Sequence, residues 1–349
     1  MQTPLYPIHA ALGAKIIDFS GWEMPIQYQS ILEEHKAVRE HAGIFDVSHM
    51  GRISVMGPDA ELFCDFVSTN TIAHKKDGQA IYTVLCREDG TAIDDVIILR
   101  HSPQNCSVVS NASNRERVLS HLQVSAKDFN VAINSPYTNE GILAIQGPSS
   151  LTIASKLFPE TASLAPMTSI KTAGLLISRT GYTGEKGIEI FVPFSQLKEI
   201  WDLFIQEGVV PVGLGARDTL RLEKGYALFG HELSDTTQPT ETVSAWAVKL
   251  TKENFIGKQA LLKESSGRHQ YGIILDEPGI ARAGCPVVMQ GNQIGEVTSG
   301  TFSPTLKKSI AIVMVHHVLQ AGDKIEVNIR DKPCRATVVQ LPFYKGPSQ

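Results

Sequence analysis

The sequence predicts an α+β protein that ends in an all-β domain. Up to about residue 250, amphipathic helical segments alternate with short apolar strands. Beyond that point helical periodicity mostly stops, and short strands such as "YGIILDE", "IAIVMV" and "KIEVNIR" are separated by Gly, Pro and Asn. Closely spaced short strands with turn residues between them are typical of a small barrel or sandwich.

The first helices and strands follow from local patterns. A helix is predicted over 29–42, and a second over "GPDAELFCDFVS", which has acids in its first turn. "AIYTVLCREDGTAIDDVIILR" predicts a β-hairpin that turns at Asp89-Gly90. The predicted apolar residues of the helix over 29–42 are Ile31, Leu32, Ala37 and Val38.

The second half of the α+β body repeats this alternation. "CSVVSNASNRERVLSHL" and "GILAIQGPSSLTIASKLF" each predict a strand, a break and a helix, and "LLISRTGYTGEKGIEIFVP" predicts two strands around a glycine-rich loop. "GARDTLRLEKG" predicts a helix that ends at Gly225. The helix over "FSQLKEIWDLFIQEG" carries one apolar stripe, formed by Leu197, Ile200, Trp201 and Phe204.

Composition narrows the function classes. The 349 residues carry a net charge of −4 without a basic run, which disfavours nucleic acid as a partner. No run approaches the roughly 18 apolar residues that span a membrane, and the start lacks the pattern of a secretory signal. The five cysteines are scattered singly, which favours reduced thiols in a cytoplasmic compartment over disulfides or a zinc site.

Two adjacent acids, Asp94 and Asp95, interrupt an apolar strand. Successive side chains of a strand point to opposite faces, so at least one of the two is buried if both faces are covered. A buried carboxylate is costly unless it is paired. One interpretation is an acid that binds a ligand N–H or transfers a proton; the other, at even odds, is one solvent-facing acid and one turn cap.

A third acid, Glu189, lies between Ile188 and Ile190 and therefore points away from both. A carboxylate in that position can accept two N–H bonds from a planar heterocycle. The alternative, which pattern alone favours, is a solvent-facing glutamate on a half-buried strand.

Arg217 and Arg221 are four residues apart and share one face of a predicted helix. Arg217, near the start of that helix, suits a ligand carboxylate through bidentate hydrogen bonds. The alternative is pairing within the helix, with Asp218 or Glu223.

The sequence contains no motif of a common metal site, nucleophilic hydrolase or nucleotide-binding loop. The sequence has no H-E-x-x-H, G-x-S-x-G or P-loop motif, and "GLGARD" is not a dinucleotide fingerprint. His49 is interpreted as structural, and the adjacent His316 and His317 point apart on a strand, so no metal site is predicted.

A series of motifs, in order along nearly the whole chain, resembles the T-protein family of the glycine cleavage system. The motifs include "DFSGWEMPIQY", "HAGIFDVSHMG", "TAIDDVIIL", "VVSNASN", "RTGYTGEKGIEI", "GLGARDTLRLEKG" and "GEVTSGTFSPTLKKSIA". The resemblance implies three domains in a cloverleaf around a central folate channel: 1–53 with 135–247, an inserted domain 54–134, and a C-terminal β-barrel domain 248–349.

The resemblance also implies residue roles. Asp95 matches the family's essential aspartate beside folate N10, Glu189 the glutamate that binds the pterin, and Asn111 a further pterin contact. Arg217 matches the arginine near the tail carboxylate of the folate. The remaining channel residues implied are Met50, Tyr82, Tyr182 and Tyr226.

The implied activity is aminomethyl transfer from the lipoyl arm of the carrier H-protein to tetrahydrofolate, a co-substrate, without a metal. The implied protein is a monomer that works indirectly with the P- and L-proteins of the system. One alternative is a folate-dependent demethylase of a small amine or sulfonium compound. The other is a non-enzymatic folate-binding accessory protein of iron–sulfur assembly, disfavoured because "KGYALFGHEL" lacks the cysteine of "K-G-C-Y-x-G-Q-E".

Overall fold

The structure, a computed structural model, describes residues 1–135, 139–263 and 267–346. Within these ranges the α-helices are α1 (Tyr6–Ala11), α2 (Ile31–Glu40), α3 (Ala60–Val67), α4 (Arg115–Ser125), α5 (Ser150–Leu157), α6 (Phe194–Gln206), α7 (Leu214–Glu223) and α8 (Lys258–Leu261). The strands before α5 are β1 (Lys15–Phe19), β2 (Trp22–Gln27), β3 (Gly43–Asp46), β4 (Gly51–Met56), β5 (Gln79–Cys86), β6 (Ala92–Ser102), β7 (Asn105–Ser110), β8 (Ala132–Asn134) and β9 (Glu140–Gln146). The later strands are β10 (Ser169–Thr172), β11 (Leu175–Ser178), β12 (Gly187–Pro193), β13 (Val210–Pro211), β14 (His269–Leu275), β15 (Pro286–Met289), β16 (Asn292–Ser303), β17 (Lys308–Val315), β18 (Lys324–Ile329) and β19 (Lys332–Val339).

The first large sheet has the strand order β10-β11-β12-β9-β3-β13. Its inner face packs against α6, whose predicted apolar stripe is buried in the same hydrophobic cluster as Ile145 and Ile190. The amphipathic pattern of that helix therefore predicted its buried face correctly.

The second sheet has the order β5-β6-β7-β4-β8. Its strands β5 and β6 form the predicted hairpin, with Gly90 at a positive φ of 81° in the turn. Helices α3 and α4 cover one face, where Phe63, Val108 and Leu122 are fully buried. Along the chain, strands β5 to β7 lie between β4 and β8. The predicted boundaries of the inserted domain stay a prediction.

The C-terminal strands close into a six-stranded barrel in the order β14-β17-β16-β15-β18-β19. Closure pairs β14 with β19, from Gly272–Val339 to Leu275–Ala336. A barrel has no open edge, which is one solution to the exposed strand edges of small sheets. The predicted α+β class with a C-terminal barrel is confirmed.

Helix α2 forms as predicted but buries a different face. Leu32 is 54% exposed, whereas Glu34 and His35 are each 1% exposed. The carboxylate of Glu34 accepts hydrogen bonds from three backbone N–H groups, those of Tyr28, Gln29 and Gly213. Apolar periodicity found the helix but missed its orientation, because hydrogen bonds to the preceding loop and to distant segments satisfy these polar side chains.

Helix α7 lies where the parts of the molecule meet. It contacts α2, the hairpin strand β2 and the barrel strand β16. Its segment from Ala216 to Leu220 helps to fill a cluster in which Leu99 of the second sheet meets Phe191 of the first. No helix in the described ranges is long and apolar enough to cross a membrane.

Candidate functional site

A chamber of about 990 Å³ lies between the two sheets, α7 and the barrel. Its walls include β6 of the second sheet, β12 of the first sheet and the end of β16. All eight site residues predicted from the sequence line it: Met50, Tyr82, Asp95, Asn111, Tyr182, Glu189, Arg217 and Tyr226. A site of this size is in the range that encloses most of a cofactor-sized ligand.

Asp95 reaches the chamber from β6. Its Oδ2 accepts a hydrogen bond from Tyr82 Oη at 2.9 Å, and its Oδ1 accepts one from Asn111 Nδ2 at 2.8 Å. Neither partner is charged, so two neutral donors hold a carboxylate that can still accept a proton from a ligand.

Asp94 points to the other face of β6 and is fully buried. It accepts three hydrogen bonds of 2.8–2.9 Å, from the backbone and side-chain nitrogens of Asn111 and from Asn114 Nδ2. Asp94 therefore holds the loop that carries Asn111 to Asp95. Both acids accept a hydrogen bond from Asn111, but their roles differ. The interpretation of a solvent-facing acid is wrong for both.

Burial sets the protonation of this pair. Desolvation raises the pKa of Asp95 above its ordinary value, and the hydrogen bonds from Tyr82 and Asn111 only partly oppose it. Desolvation and the nearby charge of Asp95 likewise raise the pKa of Asp94. A raised carboxyl pKa brings proton exchange closer to neutral pH, which is what general acid–base chemistry requires.

Tyr82 connects Asp95 to a second wall. Its hydroxyl lies 2.7 Å from Ser244 Oγ, and its ring stacks on Trp246 with centroids 5.3 Å apart. Sequence reasoning missed Ser244 and Trp246, since "TVSAWAV" shows no periodic or motif signal. An aromatic cluster at the end of the acid's hydrogen-bond chain fixes the direction in which Asp95 faces.

Glu189 lies on β12, and its carboxylate faces the chamber rather than bulk water. It accepts a hydrogen bond from Thr180 Oγ1, which is itself 2.7 Å from Ser178 Oγ. Desolvation raises its pKa. The solvent-facing alternative is therefore wrong, while the binding of a heterocycle stays a prediction. Like Ser244 and Trp246, Thr180 is a residue that the sequence pattern did not reveal.

Arg217 lies in the first turn of α7. Its guanidinium lies over the ring of Tyr182, 4.5 Å from the centroid, and makes no side-chain hydrogen bond or ion pair with any residue that the structure describes. Tyr182 in turn stacks with Tyr226 at 5.9 Å. A half-buried cation without an anionic partner among the described residues is a ready position for a ligand anion.

Arg221 forms an ion pair within its own helix, which is the alternative that the sequence left open for both arginines. It donates to Asp218 Oδ1 at 2.8 Å, to Glu232 Oε2 at 2.7 Å and to Ser299 Oγ of the barrel at 2.9 Å. The pairing alternative thus holds for Arg221 and not for Arg217 in the described part of the chain.

The chamber defines a class of protein. It combines the half-buried carboxylate of Asp95, held by neutral donors, with the half-buried carboxylate of Glu189, the guanidinium of Arg217 and stacked aromatic rings. Among the described residues, no group of three or more His, Cys, Asp and Glu side chains could hold a metal ion. These features define a ligand-binding chamber that suits a flat polar molecule with N–H donors and an anionic end.

Comparisons with known proteins specify the class. The model of the GCVT N-terminal domain matches residues 5–252, and that of the glycine cleavage T-protein C-terminal barrel domain matches 268–345. An aminomethyltransferase of Herpetosiphon aurantiacus is 42% identical over 99% of this chain and 98% of its own length. One of Listeria monocytogenes is 41% identical over the same shares. The crystal structure of the glycine cleavage system aminomethyltransferase T from Bartonella henselae superposes with a TM-score of 0.95 at 32% identity, over 99% of this chain and 98% of that one.

The chain belongs to the glycine cleavage T-protein family, and it is an enzyme of the aminomethyltransferase kind. The resemblance stated from the sequence motifs is confirmed over the full length. Neither the demethylase nor the iron–sulfur accessory alternative is favoured by these relatives.

Proposed function

We propose that the chamber binds tetrahydrofolate and transfers to it the methylene carbon of an aminomethyl group carried on the lipoyl arm of H-protein. The products are ammonia, 5,10-methylenetetrahydrofolate and the dihydrolipoyl carrier. The observation that carries the proposal is the convergence of all eight predicted residues, from separate parts of the fold, on one chamber.

Four features of the chamber support tetrahydrofolate as its ligand. Glu189 provides a half-buried carboxylate for the N–H edge of the pterin, and Asn111 lies on the same chamber wall as Asp95. The stacked rings of Tyr182 and Tyr226 suit a flat ligand, and the unpaired Arg217 suits the tail carboxylate. Tetrahydrofolate supplies two nitrogens, N5 and N10, that together accept the carbon.

Asp95 is the residue proposed to act on the reaction. Tyr82 and Asn111 fix its carboxylate in place, and in its ionised form it can orient N10 and take up proton charge as that nitrogen attacks. Preorganised neutral donors reorganise little during the reaction, so most of the electrostatic effect is available to the transition state. Asp94 contributes indirectly, by holding Asn111.

The remaining expectations belong to this proposal. The lipoylated H-protein is the direct partner, the P- and L-proteins are indirect ones, and the enzyme works in the cytoplasm as a monomer without nucleic acid or membrane. Gel filtration of the protein, alone and with lipoylated H-protein, tests the monomer and the direct partner.

A coupled assay tests the activity. Purified protein is given aminomethylated lipoyl carrier with tetrahydrofolate, and ammonia, free thiol and methylene-folate are followed together. The proposal predicts the three in equal amounts, with methylene-folate strictly dependent on folate. Folate binding without folate-dependent ammonia release would support the accessory-protein alternative, and turnover of a methylated small amine in place of the carrier would support the demethylase.

A further inference from the structure

Helix α7 carries chamber residues at its start and a buried carboxylate, Glu223, at its end. Glu223 is fully buried. It accepts hydrogen bonds from Ser303 Oγ at 2.5 Å, Thr305 N at 3.1 Å and Thr305 Oγ1 at 2.8 Å, all of them barrel residues. The carboxylate is thus a direct link between the body of the protein and its barrel.

The body satisfies the same carboxylate from the other side. Arg39 of α2 donates from Nη2 to Glu223 Oε2 at 2.8 Å and from Nη1 to Glu185 Oε1 at 3.0 Å. His35 of α2 hydrogen-bonds Thr305 Oγ1 at 2.9 Å and Thr219 Oγ1 at 2.8 Å. Although burial opposes ionisation, the bonds and charges of these neighbours lower the pKa of Glu223 to about 2. It is therefore ionised at neutral pH.

A second anchor from α7 holds the same barrel strand. Arg221 donates to Ser299, and Glu223 accepts from Ser303. Alternate residues of a strand share a face, and the register of β16 with β17 is regular from Ser299 to Ser303. Thr301, midway between the two anchors, lies on that face and lines the chamber.

The segments connected to Glu223 by hydrogen bonds also contribute residues to the chamber lining. Phe302 and Pro304 line it on the barrel side, next to the two residues that bind Glu223. Leu32 lines it on the side of α2, one turn before His35. Glu185, the second acid bound by Arg39, follows Tyr182 in the same loop.

We propose that Glu223 is a positioning residue for the transfer reaction: its clamp on Ser303 and Thr305 seats the barrel segment 299–305 as the chamber wall and so excludes water from the aminomethyl carbon. The inference rests on the proposed function but names a residue outside the chamber lining. Glu223 does not touch the reactants; it acts through the barrel wall.

The exclusion of water can be measured from the ratio of the reaction products. If water reaches the carbon in place of folate nitrogen, the C–S and C–N bonds both break. Water supplies the oxygen of formaldehyde, and its two protons go to the thiol and to ammonia, so that formaldehyde, ammonia and the free thiol form. Because free formaldehyde also condenses with tetrahydrofolate without an enzyme, the assay contains a formaldehyde trap, and ammonia release then exceeds methylene-folate formation. A change that only lowers the amount of folded enzyme reduces both products equally, so the ratio of methylene-folate to ammonia isolates the positioning role.

The experiment compares Glu223→Gln and the milder Ser303→Ala with wild type. The matched control is Glu61→Gln, since Glu61 also binds a largely buried arginine, Arg100, but it does not line the chamber and hydrogen-bonds to no barrel residue that the structure describes. We expect both clamp variants to form less than about half the wild-type amount of methylene-folate per ammonia and to raise KM for tetrahydrofolate by about tenfold. The Glu61 variant keeps the wild-type ratio.

A second readout does not need turnover. Hydrogen exchange by mass spectrometry should show faster exchange over 299–305 in the clamp variants and not in Glu61→Gln. Wild-type product ratios in folded Glu223→Gln and Ser303→Ala, or unchanged exchange over 299–305, would overturn the inference. A wild-type protein that releases no ammonia instead refutes the proposed function, and the exchange measurement still decides whether the clamp exists.

Discussion

Arg217 and Arg221 lie one turn apart on α7 and line the same chamber, yet their surroundings differ. Arg221 bonds to Asp218, Glu232 and Ser299 and is 1% exposed. Arg217 stacks on an aromatic ring and bonds to no described side chain. A buried polar group that the protein satisfies stabilises the fold, whereas one left open toward a cavity is available to a ligand.

The two adjacent acids of β6 repeat this difference. Asp94 accepts three hydrogen bonds from the loop at 111–114 and faces away from the chamber. Asp95 is held by two neutral donors and faces into it. In both pairs the satisfied member is expected to govern stability and the open member to govern binding or turnover.

The largest expected effect is that of Asp95→Asn on turnover. The amide is nearly isosteric but cannot take up a proton, so kcat should fall by about 10²- to 10⁴-fold, the range of a lost general acid or base. Tetrahydrofolate affinity should stay within about tenfold, because one hydrogen bond is worth roughly 1.4 kcal/mol or less. Steady-state assays beside folate titrations measure both; full turnover in the variant would remove Asp95 from the mechanism.

The next effect concerns Arg221→Met, which leaves the buried Glu232 without its cation. Breaking a buried ion pair from one side costs about 3–5 kcal/mol in the free energy of unfolding. Arg217→Met, the matched change one turn earlier, should cost only about 1 kcal/mol, the value of its contact with the Tyr182 ring. Urea denaturation of both variants gives the comparison, and equal losses would contradict it.

Arg217→Lys should weaken tetrahydrofolate binding while the melting temperature barely changes. Lysine keeps the charge but lacks the planar fork, and a hydrogen bond to a charged group is worth about 1.5–3 kcal/mol at most. Calorimetric titration measures the affinity, with a folate analogue that lacks the tail carboxylate as the control. If that analogue loses the same affinity on Arg217→Lys, the tail carboxylate is not the partner of Arg217.

The smallest effect is on the pH profile. Burial raises the pKa of Asp95, and the ionised form is the one proposed to act. The acid limb of kcat/KM should therefore fall as pH drops through a pKa above the ordinary aspartate value of about 3.9. The residual activity of Asp95→Asn should lack this limb. A limb that persists unchanged in the variant would assign it to another group.

Much of the fold could be predicted from the sequence because its patterns are local. The stripe of α6, the turn of the β5–β6 hairpin and the short strands of the barrel each depend on neighbouring residues. The face of Asp95 followed from strand alternation once the family resemblance selected it from Asp94.

The rest depends on contacts between distant segments. Trp246 stacks on Tyr82 across 164 positions of sequence, and His35 bonds to Thr305 across 270. Nothing near Trp246, His35 or Glu223 in the sequence distinguishes them from ordinary surface or core residues. The site residues were found through motif resemblance, whereas the residues that position them became visible only with the tertiary structure.

The most direct test of this account is a crossed comparison of Asp94→Asn and Asp95→Asn, with melting curve and turnover measured on each. Asp94→Asn turns an amide N–H₂ toward groups that themselves donate, so the free energy of unfolding should fall by about 1–3 kcal/mol. The folded fraction should keep a larger share of wild-type turnover than Asp95→Asn does. Asp95→Asn should melt near wild type and turn over orders of magnitude more slowly. An inactive but stable Asp94→Asn beside an active Asp95→Asn would contradict the account, because the satisfied acid would then be the catalytic one.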